Sequence, residues 1–105
     1  MKAIKLEGRI ISEIEIENTL EDFQDAVEGY IETLQIVPDK AVMVVNEEGL
    51  YLGLMPNPCA SALAGTLIVG NALVAGVDGE EFTDIPDDIA DEIMMLFTKG
   101  GEKDA

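Results

Sequence analysis

A chain of 105 residues is long enough for one domain with a real core and too short for two, and its 48% hydrophobic content sets it apart from acidic disordered tails. Its formal net charge of -16, from 22 acids against 6 bases and no histidine, argues against direct binding to nucleic acid or to anionic membranes, which this surface repels. The single cysteine, Cys59, excludes an internal disulfide.

Met1 to Leu6 reads as a short strand turned at Glu7-Gly8-Arg9, and the stretch Met-Lys-Ala-Ile-Lys-Leu-Glu turns charged too early for a signal peptide. From Ile10 to Glu17 the chain alternates, with Ile14 and Ile16 on one side and Glu13, Glu15 and Glu17 on the other, as in a strand with one wet face. Asn18-Thr19-Leu20-Glu21 resembles a capping box with Asn18 as the cap. Leu20, Phe23, Val27 and Tyr30 then recur at helical spacing, so a helix is predicted over about 19–28, with Gly29 as its stop.

Tyr30 to Val37 returns to strand composition, Pro38-Asp39 turns the chain, and Lys40 to Val45 is valine-rich enough for a central strand. The turn Asn46-Glu47-Glu48-Gly49 leads into a predicted short strand from Leu50 to Leu54. Pro56-Asn57-Pro58 interrupts regular structure ahead of a short helix near 59–64. Thr66 to Ala75 fits a hairpin folded at Gly70-Asn71, the preferred reading, or one buried strand with a bulge there. Asp84-Ile85-Pro86-Asp87 opens the last helix, over 85–98, whose predicted buried stripe is Ile85, Ile89, Ile93, Leu96 and Phe97, with Gly100-Gly101 as its stop. Together these elements predict a single α+β domain over 1–98 with a frayed C-terminal tail over 99–105. The architecture expected is a mostly antiparallel sheet with its helices on one face.

In order and spacing, Asn18-Thr19-Leu20-Glu21, Gly29-Tyr30-Ile31-Glu32, Val44-Val45-Asn46-Glu47-Glu48-Gly49 and Pro56-Asn57-Pro58 with Ala60 and Gly65 resemble a small phage and mobile-element family. That family is catalogued as a domain of unknown function, number three-eight-four-six. The resemblance covers roughly Met1 to Val77. It implies an intracellular accessory domain in a bacterial host cell and carries no assigned reaction. It also implies a base directly after the Asn57-Pro58 pair, where this chain has Cys59.

Residue chemistry favours binding over catalysis. Without histidine, the commonest general base and zinc ligand is missing, and Cys59 lacks the imidazole that would hold a thiolate. No metal, cofactor or enzymatic activity is expected. The loop Asp78-Gly79-Glu80-Glu81 with Asp84 departs from the ligand spacing of an EF-hand.

Between Ile10 and Thr98, nineteen carboxylates face a single base, Lys40. Glu13, Glu15 and Glu17 would stand about 6.8 Å apart on a strand face. Glu21, Asp25 and Glu28, with Asp22 beside them, would share a helix face where like charges repel by a few tenths of a kcal/mol per pair. The acids at Asp84, Asp87, Asp88, Asp91 and Glu92 have a local explanation in the dipole of the helix they begin. The first two rows therefore stand as the candidate partner-binding residues. The expected partner is a basic protein surface, that of a nucleic-acid-binding host protein, with this chain as a cytoplasmic decoy imitating phosphates. An alternative is a small-ligand module with an anion or nucleotide pocket at Gly53, Asn57 and Cys59. A structural or self-assembling domain, in which Met43, Met55, Met94 and Met95 would serve a homodimer interface, also stays open.

Overall fold

The computed structural model describes the backbone of residues 1–104 and the side chains of residues 1–97. Nine elements follow in chain order: β1 (Lys2–Glu7), β2 (Ile10–Glu15), α1 (Leu20–Val27), β3 (Ile31–Val37), β4 (Ala41–Asn46), α2 (Pro58–Ala64), β5 (Ala72–Asp78), β6 (Glu81–Thr83) and α3 (Asp87–Asp104). The fold is α+β. Its strands form one antiparallel sheet in the order β2-β1-β5-β4-β3, with β6 paired to β5.

Three hairpins build the sheet, each closed by a turn that its residues favour. Gly8, at φ 61, opens the two-residue turn between β1 and β2. Pro38 and Asp39 form the turn between β3 and β4, in which the Lys40 amide donates to the Val37 carbonyl at 3.0 Å and Asp39 takes φ 63. That is the type II pattern, with proline first and a left-handed residue second. Gly79, at φ 65, opens the turn between β5 and β6.

The third hairpin unites the other two. β5 lies between β1 and β4, with Ile4 opposite Val74 and Met43 opposite Val74 on the other side. Ala72 to Gly76 are all buried, because both faces of the sheet are covered there; this explains an uninterrupted apolar run in an antiparallel sheet. The hairpin expected at Gly70-Asn71 does not form. Val69 bridges Pro56, the Gly70 amide donates to Met55 O at 2.8 Å, and the chain then enters β5.

Helices cover both faces rather than one. α1 lays Phe23 and Val27 on Val44 and Leu73, with Phe82 of β6 edge-on to Phe23 at a centroid separation of 4.7 Å. α2 and α3 cover the opposite face, where Ile4, Leu6, Met43 and Val74 meet Ala60, Ile85, Ile89 and Ile93. The α1 cap is Thr19, whose hydroxyl accepts from the Asp22 amide at 3.1 Å. Asn18 instead donates to the Phe82 carbonyl at 2.8 Å and ties the helix entry to β6. The left-handed C-cap is Glu28 at φ 65, one residue before the expected Gly29. Leu20 and Tyr30, assigned to the buried stripe from spacing, are exposed.

Of the predicted α3 stripe, Leu96 is exposed, while Ala90 is buried and Met94 packs on the core from a half-buried position. Asp84 does not cap this helix; its carboxylate accepts from the Lys2 amide at 2.8 Å. The helix also runs past the Gly100-Gly101 stop. The frayed tail expected over 99–105 falls on residues whose side chains lie outside those described.

Candidate protein-binding surface

The acids separate into two groups. Glu13 and Glu15 lie opposite Ile4 and Lys2 in the β1–β2 ladder, and so on the α3 side of the sheet, away from α1. Both meet positive charge there. The Met1 ammonium contacts Glu15 at 3.1 Å, and Lys2 Nζ lies 3.7 Å from Glu13 and also contacts Asp87. The hydrogen bond with Asp87 raises the Lys2 pKa and holds the Asp87 carboxyl below its usual value. Glu13 and Glu15 of the strand row therefore have local ion-pair partners.

The second group is contiguous. Glu17 and Asp22 share a small cleft with Met1, Glu15 and Ile16. One helical turn along, Asp25 and Glu28 border a cleft with Gln24, Gly29, Tyr30, Glu48 and Leu52. Glu48 also lines the next cleft, of about 480 Å³, with Glu32 and Glu47. Glu21 is exposed in the first turn of α1 and lines none of the three. No Lys or Arg lines any of these three clefts. The Met1 ammonium, already engaged by Glu15 and Ile16 O, is the positive group at their edge. Lys40 stands just before β4, at the far end of that strand from Glu47 and about 23 Å away at the usual rise per residue.

Asn46 holds this belt together. Its side-chain amide donates to Val27 O at 3.1 Å and its oxygen accepts from the Glu48 amide at 2.7 Å. One buried side chain thus fixes the end of α1 against the turn that carries Glu47 and Glu48. Gly29 permits the approach, since a Cβ there would stand 2.6 Å from Asn46 Nδ2.

A family model described as Domain of unknown function (DUF3846) matches residues 1–98. The chain belongs to this family. No curated protein and no solved structure matches it. The family match extends through the buried part of α3, beyond the stretch whose motifs carry the resemblance in sequence.

In the alternative site at Gly53, Asn57 and Cys59, the asparagine serves the fold. Asn57 is 0% exposed, and its amide is fully used within the fold. Gly53, at φ 70, serves an exposed turn. Burial pushes the Cys59 thiol pKa up, with Arg9 opposing it. None of the three lines the clefts above. The methionines divide as well: Met43 is core and Met94 packs on it, whereas Met55 and Met95 are exposed on separate elements. No group of three acids or cysteines among the described residues is placed to hold a metal ion, and no helix there is long and apolar enough to cross a membrane.

Sequence reasoning missed Leu50, Tyr51 and Leu52. They form no strand; the Leu52 amide donates to Glu48 O at 2.8 Å and the Leu54 amide to Gly49 O at 3.0 Å, in tight turns. Tyr51 is 88% and Leu50 71% exposed. The available signal was an apolar run too short to cross the sheet, set between Glu47-Glu48-Gly49 and Gly53.

The belt has a measurable electrostatic consequence. Added salt is expected to raise the melting temperature as the Debye length falls from about 30 Å at 0.01 M to about 10 Å at 0.1 M. Lowering the pH from 8 to 5 is expected to act in the same direction by beginning to neutralise the carboxylates. The Lys2–Asp87 pair survives this range. The depressed Asp87 pKa contributes stability above its unfolded value of about 3.9, lost only as pH falls through the lower folded value. The raised Lys2 pKa contributes below about 10.4 and is lost as pH rises through the folded value. Thermal melts across salt and pH check this, and a melting temperature indifferent to salt would contradict it.

Proposed function

We propose that this protein is an acidic interaction module that holds the basic, nucleic-acid-binding surface of another protein. The observation that carries the reading is the run Glu17, Asp22, Asp25, Glu28, Glu48, Glu47 and Glu32 across three clefts with no Lys or Arg lining them. Uncompensated charge of one sign steers a partner of the opposite sign and raises its association rate. In this reading the protein is a binder rather than an enzyme. Its setting is the accessory repertoire of a phage or mobile element in the bacterial cytoplasm, and its target belongs to the host.

Phosphate imitation requires dense rows, since duplex DNA carries about one charge per 1.7 Å of axis. The belt supplies acids from α1, β3 and the turn after β4.

The test is capture of host proteins at low salt, followed by kinetics on each captured protein. Partners should be basic, should release at about 0.5 M salt, and should be displaced by duplex DNA. Changing Asp25, Glu28 and Glu48 together to Lys is expected to slow association about tenfold or more and flatten its salt dependence. The same change at Glu13 and Glu15 should affect stability more than binding, because it breaks the contacts with Lys2 and the Met1 ammonium. Unchanged binding by the α1 and turn variant would sink the reading.

A further inference from the structure

We infer that the cleft of about 480 Å³ between the β3–β4 end and the 66–69 segment is a docking groove for a short cationic peptide segment of the partner. One apolar side chain of that segment sits on the groove floor, and flanking Lys or Arg side chains meet the rim. This inference rests on the proposed interaction role and adds what the groove selects.

The floor is apolar, made by Leu34, Val45, Ile68 and Val69. Leu50 and Tyr51 stand beside it exposed, with Leu67 at 57%. Contiguous exposed apolar surface rimmed by polar groups marks an interaction site more often than scattered leucines do. Here the rim is Glu32, Glu47 and Glu48, and no base lines the cleft.

The turn beside the groove is pinned by the backbone. Gly49 packs against Val69 of the floor so closely that a Cβ would lie 2.7 Å from Val69 Cγ2, and its amide donates to Asn46 O at 3.3 Å. The exposed side chains therefore project from a pinned turn, and little order has to be imposed on binding.

Charge decides the occupant. A second copy brings another -16 and is repelled, as are nucleic acid and anionic lipid. A bare cation or polyamine would leave the apolar floor wet. A peptide segment with an apolar anchor between bases satisfies both.

Two fluorescent peptides of equal charge test this, Lys-Ser-Lys-Phe-Lys-Ser-Lys and Lys-Ser-Lys-Ser-Lys-Ser-Lys, measured by anisotropy at about 0.1 M salt. The Phe peptide is expected to bind about tenfold more tightly, the effect of burying one aromatic anchor. That preference should vanish in the Leu50→Ser, Tyr51→Ser variant, whose altered side chains are exposed and leave the core intact, while the Ser peptide binds as before. Amide shifts in the 15N spectrum should centre on Glu32, Val45, Leu50, Tyr51 and Leu67. Equal affinities for the two peptides, a preference that survives the variant, or shifts centred on Met95 and Leu96 of α3 would overturn the groove and leave the electrostatic reading standing. Failure of both peptides to bind would overturn both.

Discussion

Replacing Asn57 with alanine should cost about 3–5 kcal/mol of stability, the largest loss expected from any polar residue here. Its side-chain amide donates to Leu6 O and to Gly70 O, each at 2.9 Å, and its oxygen accepts from the Ala60 amide at 3.1 Å. These three contacts join the end of β1, the approach to β5 and the first turn of α2. Alanine would leave two carbonyls and one amide without partners in a site with no exposure, and each buried orphan costs roughly 1–3 kcal/mol. Asn57→Asp keeps the shape but sets a carboxylate against two carbonyl oxygens. It should be comparably destabilised at pH 7 and partly recovered in acid, where the protonated group can donate once. Urea unfolding at two pH values separates these outcomes, and a loss below about 1 kcal/mol for the alanine variant would show that water replaces the amide.

Gly76→Ala should cost about 3 kcal/mol, at the upper end of ordinary overpacking. A Cβ at Gly76 would stand 2.2 Å from the Asp84 carbonyl oxygen and 3.0 Å from its carbon. Relief by a side-chain rotation is unavailable, because the obstacle is backbone. Nor is that backbone free to retreat. The Asp84 carboxylate accepts from the Lys2 amide, and the neighbouring Ile85 amide donates to Lys2 O at 2.9 Å. Gly79→Ala is the matched control, with open space around its Cβ. Its cost should stay near 1–2 kcal/mol, the penalty of the left-handed backbone. Denaturant midpoints of the pair give the comparison, and equal losses would show that the segment at Asp84 yields.

The local signals along the chain are legible wherever neighbouring residues decide the outcome. Alternation from Ile10 to Ile16 marks β2, valines mark β4, and Pro38-Asp39 marks its turn. The α1 boundary shifts by one residue because Asn18 and Thr19 can both cap; the choice falls to Thr19 once Asn18 is drawn to Phe82. What stays hidden depends on partners distant in sequence. The insertion of β5 between β1 and β4 puts residues near 74 beside residues near 4, and no local pattern encodes that pairing.

The candidate surface follows the same logic. Asp22, Asp25 and Glu28 share a helix and are visible together, whereas Glu32, Glu47 and Glu48 join them only through the β3–β4 register and the Asn46 clamp. Glu13 looks solitary until Lys2 is seen beside it. Leu50 to Leu52 read as strand because apolar content reports a hidden surface without saying whether this chain or another one hides it.

The central position of β5 also bears on how the molecule is made. The two earlier hairpins, spanning Lys2 to Asn46, leave the ribosome well before the strand that will join them. Until then the inward edges of β1 and β4 both carry unpaired amides and carbonyls, the template on which strands of neighbouring chains add. These edges are rich in Ile, Val and Leu, and the wait is set by the late arrival of their shared partner rather than by local propensity. Mutual repulsion between unfinished chains, each bearing the acids of β2 and α1, holds such edges apart during that interval. On this view, neutralising the surface would reduce the yield of folded protein during synthesis even where the finished fold becomes more stable.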